Sequence, residues 1–195
     1  KSFIKSFNKI GYKTAYFGKL YLGDEQSLRD FGFQFSFGAG KAGSPISFIY
    51  PFNVFKGKGK NKKKQIPDVD AVSTEGDYLT DVMTNQAIKY LTQHESSTPF
   101  MLMLSYYAVH QPIEAKPNDI ERNRREIEAT DFGNQPKYIE EGAGRTKMHQ
   151  DNPAYAAMVE NLDNNIGKLL AHLESSGVME NTIIVFSSDH GGLSN

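Results

Sequence analysis

Apolar side chains recur at helical spacing in three parts of the chain, and each part predicts an amphipathic helix. The first helix is predicted to end near Gly11. The third is predicted to begin with Asn152 as N-cap and Pro153 as first helical residue, and to end at Gly177. The apolar positions are Phe3, Ile4, Phe7 and Ile10, then Leu79, Val82, Met83, Ala87, Tyr90 and Leu91, then Tyr155, Met158, Val159, Leu162, Ile166, Leu169, Leu170 and Leu173.

Three shorter apolar runs, residues 13–17, 100–107 and 182–186, predict buried strands. Because these strands alternate with helices, the sequence predicts an α/β fold with a mostly parallel central sheet and helices on both faces. Residues 31–55 are dense in Phe, Gly, Ser and Pro and are predicted to be irregular chain packed by aromatic rings. Residues 114–150 are highly polar, which predicts a short helix and a long surface excursion.

Each predicted strand is followed by a side chain that can take part in chemistry. Lys19 follows the first, His110 the second, and Asp189 with His190 the third. The carboxyl ends of parallel strands share one edge of a sheet, where ligands bind. Hydrolysis of an ester of an anionic tetrahedral group needs a cation, an acid for the leaving oxygen and a metal-binding oxygen, which Lys19, His110 and Asp189 can supply. No convincing nucleophile is visible, and taken singly each residue is also explained by surface exposure or turn chemistry.

Composition narrows the classes of function. The chain has 195 residues, a net charge of -1 and no cysteine, so disulfides, zinc-thiolate sites and a Cys nucleophile are excluded within it. Near-neutral charge gives no general attraction to nucleic acid, and no apolar run is long enough to predict a transmembrane helix. The lysine-rich residues 56–64 predict an exposed loop, for which plain solvation and contact with an anionic partner are both open.

Three sequence blocks match the motifs of one enzyme family, in that family's order. Residues 11–23, Gly-Tyr-Lys-Thr through Gly-Lys-Leu-Tyr-Leu-Gly, resemble the second sulfatase signature, and residues 109–112, Val-His-Gln-Pro, resemble its Pro-His-x-Pro stretch. Residues 155–163 and 188–192 resemble the segment that carries the later metal ligands. The chain therefore resembles the formylglycine-dependent sulfatases, which have an alkaline-phosphatase-like fold. The resemblance implies that residues 1–195 are part of one catalytic domain, with the formylglycine segment expected upstream and a further lysine downstream.

The resemblance also assigns roles to individual residues. Asp189 and His190 match two ligands of a divalent cation, most often Ca²⁺, with Mg²⁺ or Mn²⁺ as alternatives because imidazole suits softer metals than Ca²⁺. Lys19 matches the lysine that contacts the sulfate, and His110 the histidine that contacts it and assists departure of the leaving group. Tyr21 stands where a histidine is usual; a phenol donates a hydrogen bond but does not relay protons near neutral pH as imidazole does.

These assignments predict a sulfuric ester hydrolase that acts with metal assistance on a sulfated small molecule or polysaccharide. We expect the isolated piece to be inactive, since its nucleophile lies elsewhere, and the parent protein to be periplasmic, secreted or lysosomal. Two alternatives remain open at this point. One is a phosphoric or phosphonic ester hydrolase of the same superfamily, and the other is a non-catalytic sulfatase-like binding protein, for which Tyr21 is the motivating feature.

Overall fold

The computed structural model describes residues 2–20, 23, 25–54, 65–95 and 97–190. Tyr21, the last two residues of the motif block 188–192 and the lysine-rich residues 56–64 lie outside this part of the chain.

Helices and strands alternate over the first two thirds of the described chain, and a β-hairpin and a long helix follow. Its helices are α1 (Ile4–Lys9), α2 (Glu25–Phe31), α3 (Leu79–Thr92), α4 (Pro117–Glu128) and α5 (Pro153–Ser175), with short 3₁₀ turns at Val69–Val72 and Met179–Asn181. Its strands are β1 (Lys13–Gly18), β2 (Phe35–Phe37), β3 (Phe100–Ser105), β4 (Tyr138–Glu141) and β5 (Gly144–Lys147).

A parallel three-stranded sheet of order β2-β1-β3 forms the centre of the molecule. Lys13 pairs with Phe100 and Gly18 with Ser105, so β1 and β3 end at the same level. The predicted α/β fold with a parallel sheet is thereby confirmed. The prediction that residues 31–55 are irregular throughout was wrong at β2, because a three-residue strand among glycines and serines is too short to show a periodicity.

Helices cover both faces of the sheet. Consecutive side chains of β1 point to opposite faces and pack against different helices. Phe17 is completely buried, in a core cluster that includes Met83 of α3 and Met158 of α5. Tyr16, on the other face, packs with Ile4 of α1 and Leu28 of α2. The central strand is thus buried on both faces, as a parallel sheet requires.

The helix predictions are confirmed by the capping geometry. The Asn152 side chain accepts hydrogen bonds from the backbone N–H groups of Ala154 and Tyr155, which caps α5. Gly11 and Gly177 follow α1 and α5 with positive φ angles of 91° and 70°, a conformation that glycine adopts readily. The polar segment 114–150 forms α4 and the β4–β5 hairpin, which agrees with the predicted short helix and surface excursion.

The buried strand predicted for residues 182–186 is wrong. These residues have no sheet partner among the described residues, and Ile183, Val185 and Phe186 are 93%, 84% and 79% exposed. An apolar, β-branched run shows that a segment can form a strand, but a strand also needs a neighbour with free backbone groups. The sequence pattern carries no information about that neighbour. Among the described helices, none is long and apolar enough to cross a membrane.

Candidate active site

The backbone around Lys19 is held tightly at the carboxyl end of β1. The backbone N–H of Lys19 donates to the carbonyl oxygen of Ser105, the last residue of β3, at 2.7 Å. Gly18 has a φ of 94°, and a Cβ atom added there would lie 2.0 Å from the same carbonyl oxygen. The two strands therefore approach so closely that glycine is required immediately before Lys19.

The Lys19 side chain reaches the segment that follows the mispredicted strand. Its ammonium nitrogen lies 3.7 Å from the Oδ2 atom of Asp189. The Lys19 side chain is 16% exposed, and that of Asp189 is 68% exposed. Two residues that are 170 positions apart in the sequence thus meet at one edge of the molecule, even though residues 182–186 do not join the sheet.

The charges around Asp189 favour its ionised form. Partial desolvation acts to raise the pKa of this carboxyl group, but the charges of His190 and Lys19 and local backbone hydrogen bonds outweigh it, so that the pKa is lowered. The His190 ring nitrogen Nε2 lies 3.7 Å from Asp189 Oδ2. Asp189 is therefore a carboxylate near neutral pH and available to a cation.

The described residues do not by themselves enclose a metal ion. Asp189 and His190 lie side by side, but within the described part of the chain no group of three or more His, Asp or Glu side chains is placed to hold a cation. Calcium takes six to eight oxygen ligands. A metal site that uses this pair needs further ligands from beyond the described residues.

His110 lies in the turn that follows β3 and is not part of the contact between Lys19 and Asp189. It follows β3 by five residues, and its backbone N–H donates to the carbonyl of Tyr107 at 2.9 Å, which closes a turn. Its ring nitrogen Nδ1 lies 3.0 Å from the carbonyl oxygen of Gln111. Among the described residues, no hydrogen bond or ion pair joins His110 to Lys19, Asp189 or His190.

Two buried tyrosines at this edge were not predicted as site residues. The phenol of Tyr16 donates to the carbonyl of Lys19, and the phenol of Tyr107 donates to the carbonyl of Gly38 at 3.0 Å. Burial raises the pKa of both phenols, so they stay neutral donors. In the sequence both tyrosines look like ordinary core positions of apolar strands, and no pattern shows which carbonyl a buried phenol reaches.

Comparison with known proteins identifies the family. The family model described as Sulfatase matches residues 1–195, and the chain therefore belongs to the Sulfatase family.

Several curated proteins are similar to this chain. An Arylsulfatase from Clostridium perfringens is 23% identical, over 96% of this chain and 46% of its own length. An Ulvan-active sulfatase from Formosa agariphila is 27% identical, over 95% of this chain and 34% of its own length. The Multifunctional alkaline phosphatase superfamily protein PehA from Trinickia caryophylli is 27% identical, over 55% of this chain and 26% of its own length. The chain thus spans less than half the length of these relatives.

A solved structure supports the same fold. The crystal structure of Ps i-CgsB in complex with k-i-k-neocarrahexaose matches with a TM-score of 0.56 and 22% identity, and covers 90% of this chain and 36% of the other. At that identity the match concerns the fold alone.

Proposed function

We propose that this chain forms the anion-binding edge of the catalytic domain of a sulfuric ester hydrolase, and that a longer protein supplies the rest of the active site. The observation that carries the proposal is the contact between Lys19 and Asp189 at the carboxyl edge of the sheet, in a chain that matches the Sulfatase family over its whole length. A cation beside a carboxylate at a sheet edge suits a site that binds an anion and a divalent metal together.

Each residue of the edge then has a chemical task. Lys19 binds the nonbridging oxygens of the sulfate, and His110 donates a proton to the leaving oxygen. Asp189 and His190 would contribute ligands to a divalent cation, Ca²⁺ or alternatively Mg²⁺ or Mn²⁺, which when bound neutralises negative charge on the sulfate. Tyr21 would donate a hydrogen bond near the nucleophile, which we expect to be a formylglycine outside this chain.

The names of the relatives support a sulfated aryl compound or carbohydrate as substrate. They include an Arylsulfatase and an Ulvan-active sulfatase, and one fold match is a complex with neocarrahexaose. We propose a periplasmic, secreted or lysosomal location for the parent protein, on the strength of the family alone.

A second candidate is a phosphoric or phosphonic ester hydrolase. It is favoured by the similarity to PehA, described as a multifunctional member of the alkaline phosphatase superfamily. A non-catalytic protein with the same fold is the third candidate. It rests on Tyr21, which stands in place of the usual histidine.

Turnover of matched aryl sulfate and aryl phosphate esters by the longer protein tests these candidates. We expect faster hydrolysis of the sulfate, no turnover by the 195-residue chain alone, and a loss in kcat/KM on the order of 100-fold for Lys19→Met. Lys13→Met is the matched control, because Lys13 lies at the opposite end of the same strand.

The other outcomes identify the alternatives. Faster hydrolysis of the phosphate ester would favour the second candidate, and absence of both activities in the longer protein would favour the third. Sulfate turnover by the isolated chain would show that the nucleophile has been placed wrongly.

A further inference from the structure

Both backbone groups of Lys19 are held by hydrogen bonds. Its N–H donates to the carbonyl of Ser105 at 2.7 Å, and its carbonyl accepts from the phenol of Tyr16. A lysine at the end of a strand ordinarily has one of these groups in solvent. Here the strand pairing with β3 continues one residue beyond β1, and a side chain from within β1 holds the next carbonyl.

The Tyr16 ring is itself fixed in position. It is 7% exposed and packs edge-on against Phe33, with ring centroids 5.2 Å apart and an interplanar angle of 71°. The Ser105 carbonyl thus holds the N–H of Lys19 and the Tyr16 phenol holds its carbonyl, so the three residues form one connected unit.

We propose that Tyr16 is a positioning residue, which keeps the backbone of Lys19 where its ammonium group can meet the substrate anion. This inference rests on the proposed function. A lysine side chain has a flexible four-carbon stem, and it presents its charge at a defined place when its backbone is fixed. A displacement of about 1 Å at a reacting group can cost as much as 100-fold in rate, so a single phenol behind Lys19 can affect catalysis without touching the substrate.

Tyr16→Phe in the longer protein is the direct test, since it removes the hydroxyl and keeps the ring. Tyr78→Phe is the matched control. Tyr78 lies at the start of α3 and is 1% exposed, and its phenol donates to the backbone carbonyl of Glu114 at 2.7 Å. Each variant loses one hydrogen bond from a phenol to a backbone carbonyl, so we expect similar falls in the midpoint of thermal unfolding. Tyr16→Phe alone should lower kcat/KM for the sulfate ester, by about three- to tenfold, and weaken inhibition by inorganic sulfate.

A double-mutant cycle with Lys19→Met shows whether the effect passes through Lys19. Once the ammonium group is absent, Tyr16→Phe should cause no further loss of kcat/KM.

Three results would overturn the inference. The first is that Tyr16→Phe leaves both kcat/KM and sulfate inhibition at the level of the Tyr78→Phe control. The second is that the loss from Tyr16→Phe persists in the Lys19→Met background. The third, normal sulfate turnover by Lys19→Met itself, would contradict the proposed function as well and is therefore distinguishable from the other two.

Discussion

Strand β1 and the segment 182–186 have the same kind of sequence but different places in the structure. Both are short apolar runs followed by polar residues and were predicted to be buried strands. β1 lies between two parallel neighbours, with Ala15 and Phe17 fully buried, whereas Phe186 is 79% exposed. Their ends nevertheless meet, with Lys19 and Asp189 3.7 Å apart.

The difference shows what an apolar pattern determines. It indicates that burial of the segment is favourable in free energy, but burial also requires a partner surface that the pattern does not identify. Within this chain β1 pairs with β2 and β3 and packs against helices on both faces.

The same substitution in the two segments should have very different effects on stability. Phe17→Ala removes a fully buried ring that lies 5.4–6.3 Å from the rings of Phe35, Phe37 and Tyr90, and we expect a loss of about 3–5 kcal/mol in the free energy of unfolding. Phe186→Ala truncates an exposed ring and should change it by less than about 0.5 kcal/mol. Denaturant unfolding of the two variants measures both values. A large loss for Phe186→Ala would mean that residues 182–186 are buried in solution.

A pair of glycines tests the close approach at the end of β1. Gly18→Ala forces a Cβ atom against the carbonyl of Ser105 in a residue with positive φ, and should cost about 2–4 kcal/mol. Gly11→Ala, with a similar φ of 91° and no atom within 4 Å of its Cβ, should cost about 1–2 kcal/mol. Thermal unfolding compares the two. Equal losses would show that backbone conformation alone explains the requirement for glycine before Lys19.

The smallest expected effect concerns the charge of Lys19. Asp189 has a lowered pKa, to which the Lys19 ammonium contributes. Lys19→Met should therefore raise the pKa of Asp189 toward its ordinary value, and Lys13→Met should leave it unchanged. NMR titration of the carboxyl group measures the shift.

This interaction also has a defined pH dependence. Because the folded-state pKa is lowered, its contribution to stability is present above the ordinary carboxyl pKa and is lost as the pH falls through the lowered value. An Asp189 titration that is identical in both variants would show that the two side chains are not neighbours in solution.

Local signals in the sequence predicted local structure well. Asn152, Pro153 and Gly177 mark the ends of α5 through capping geometry that involves only neighbouring residues. The parallel arrangement of β1 and β3 followed from the alternation of apolar runs and helices.

Features that depend on distant partners could not be predicted. Strand β2 is three residues long, and its pairing with β1 is determined by the sheet rather than by its own pattern. The hydrogen bond from Tyr16 to Lys19 depends on how the end of β1 bends, which a two-residue periodicity does not show. In the candidate site, the sequence pointed to Lys19 and Asp189, which meet, and to His110, which contacts neither of them in the described residues. It named neither Tyr16 nor Tyr107.

Zero-length carbodiimide cross-linking followed by peptide mass spectrometry tests the meeting of Lys19 and Asp189 most directly, because it joins an ammonium group to a carboxylate only where the two are in contact. The pairs Lys116–Asp81 and Lys147–Asp151, at 3.1 Å and 2.7 Å, are positive controls within the same chain. We predict an amide link between Lys19 and Asp189 and none between Lys13 and Asp189. Formation of the control links without the Lys19–Asp189 link, or a link from Asp189 to Lys13 instead, would contradict the shared anion site.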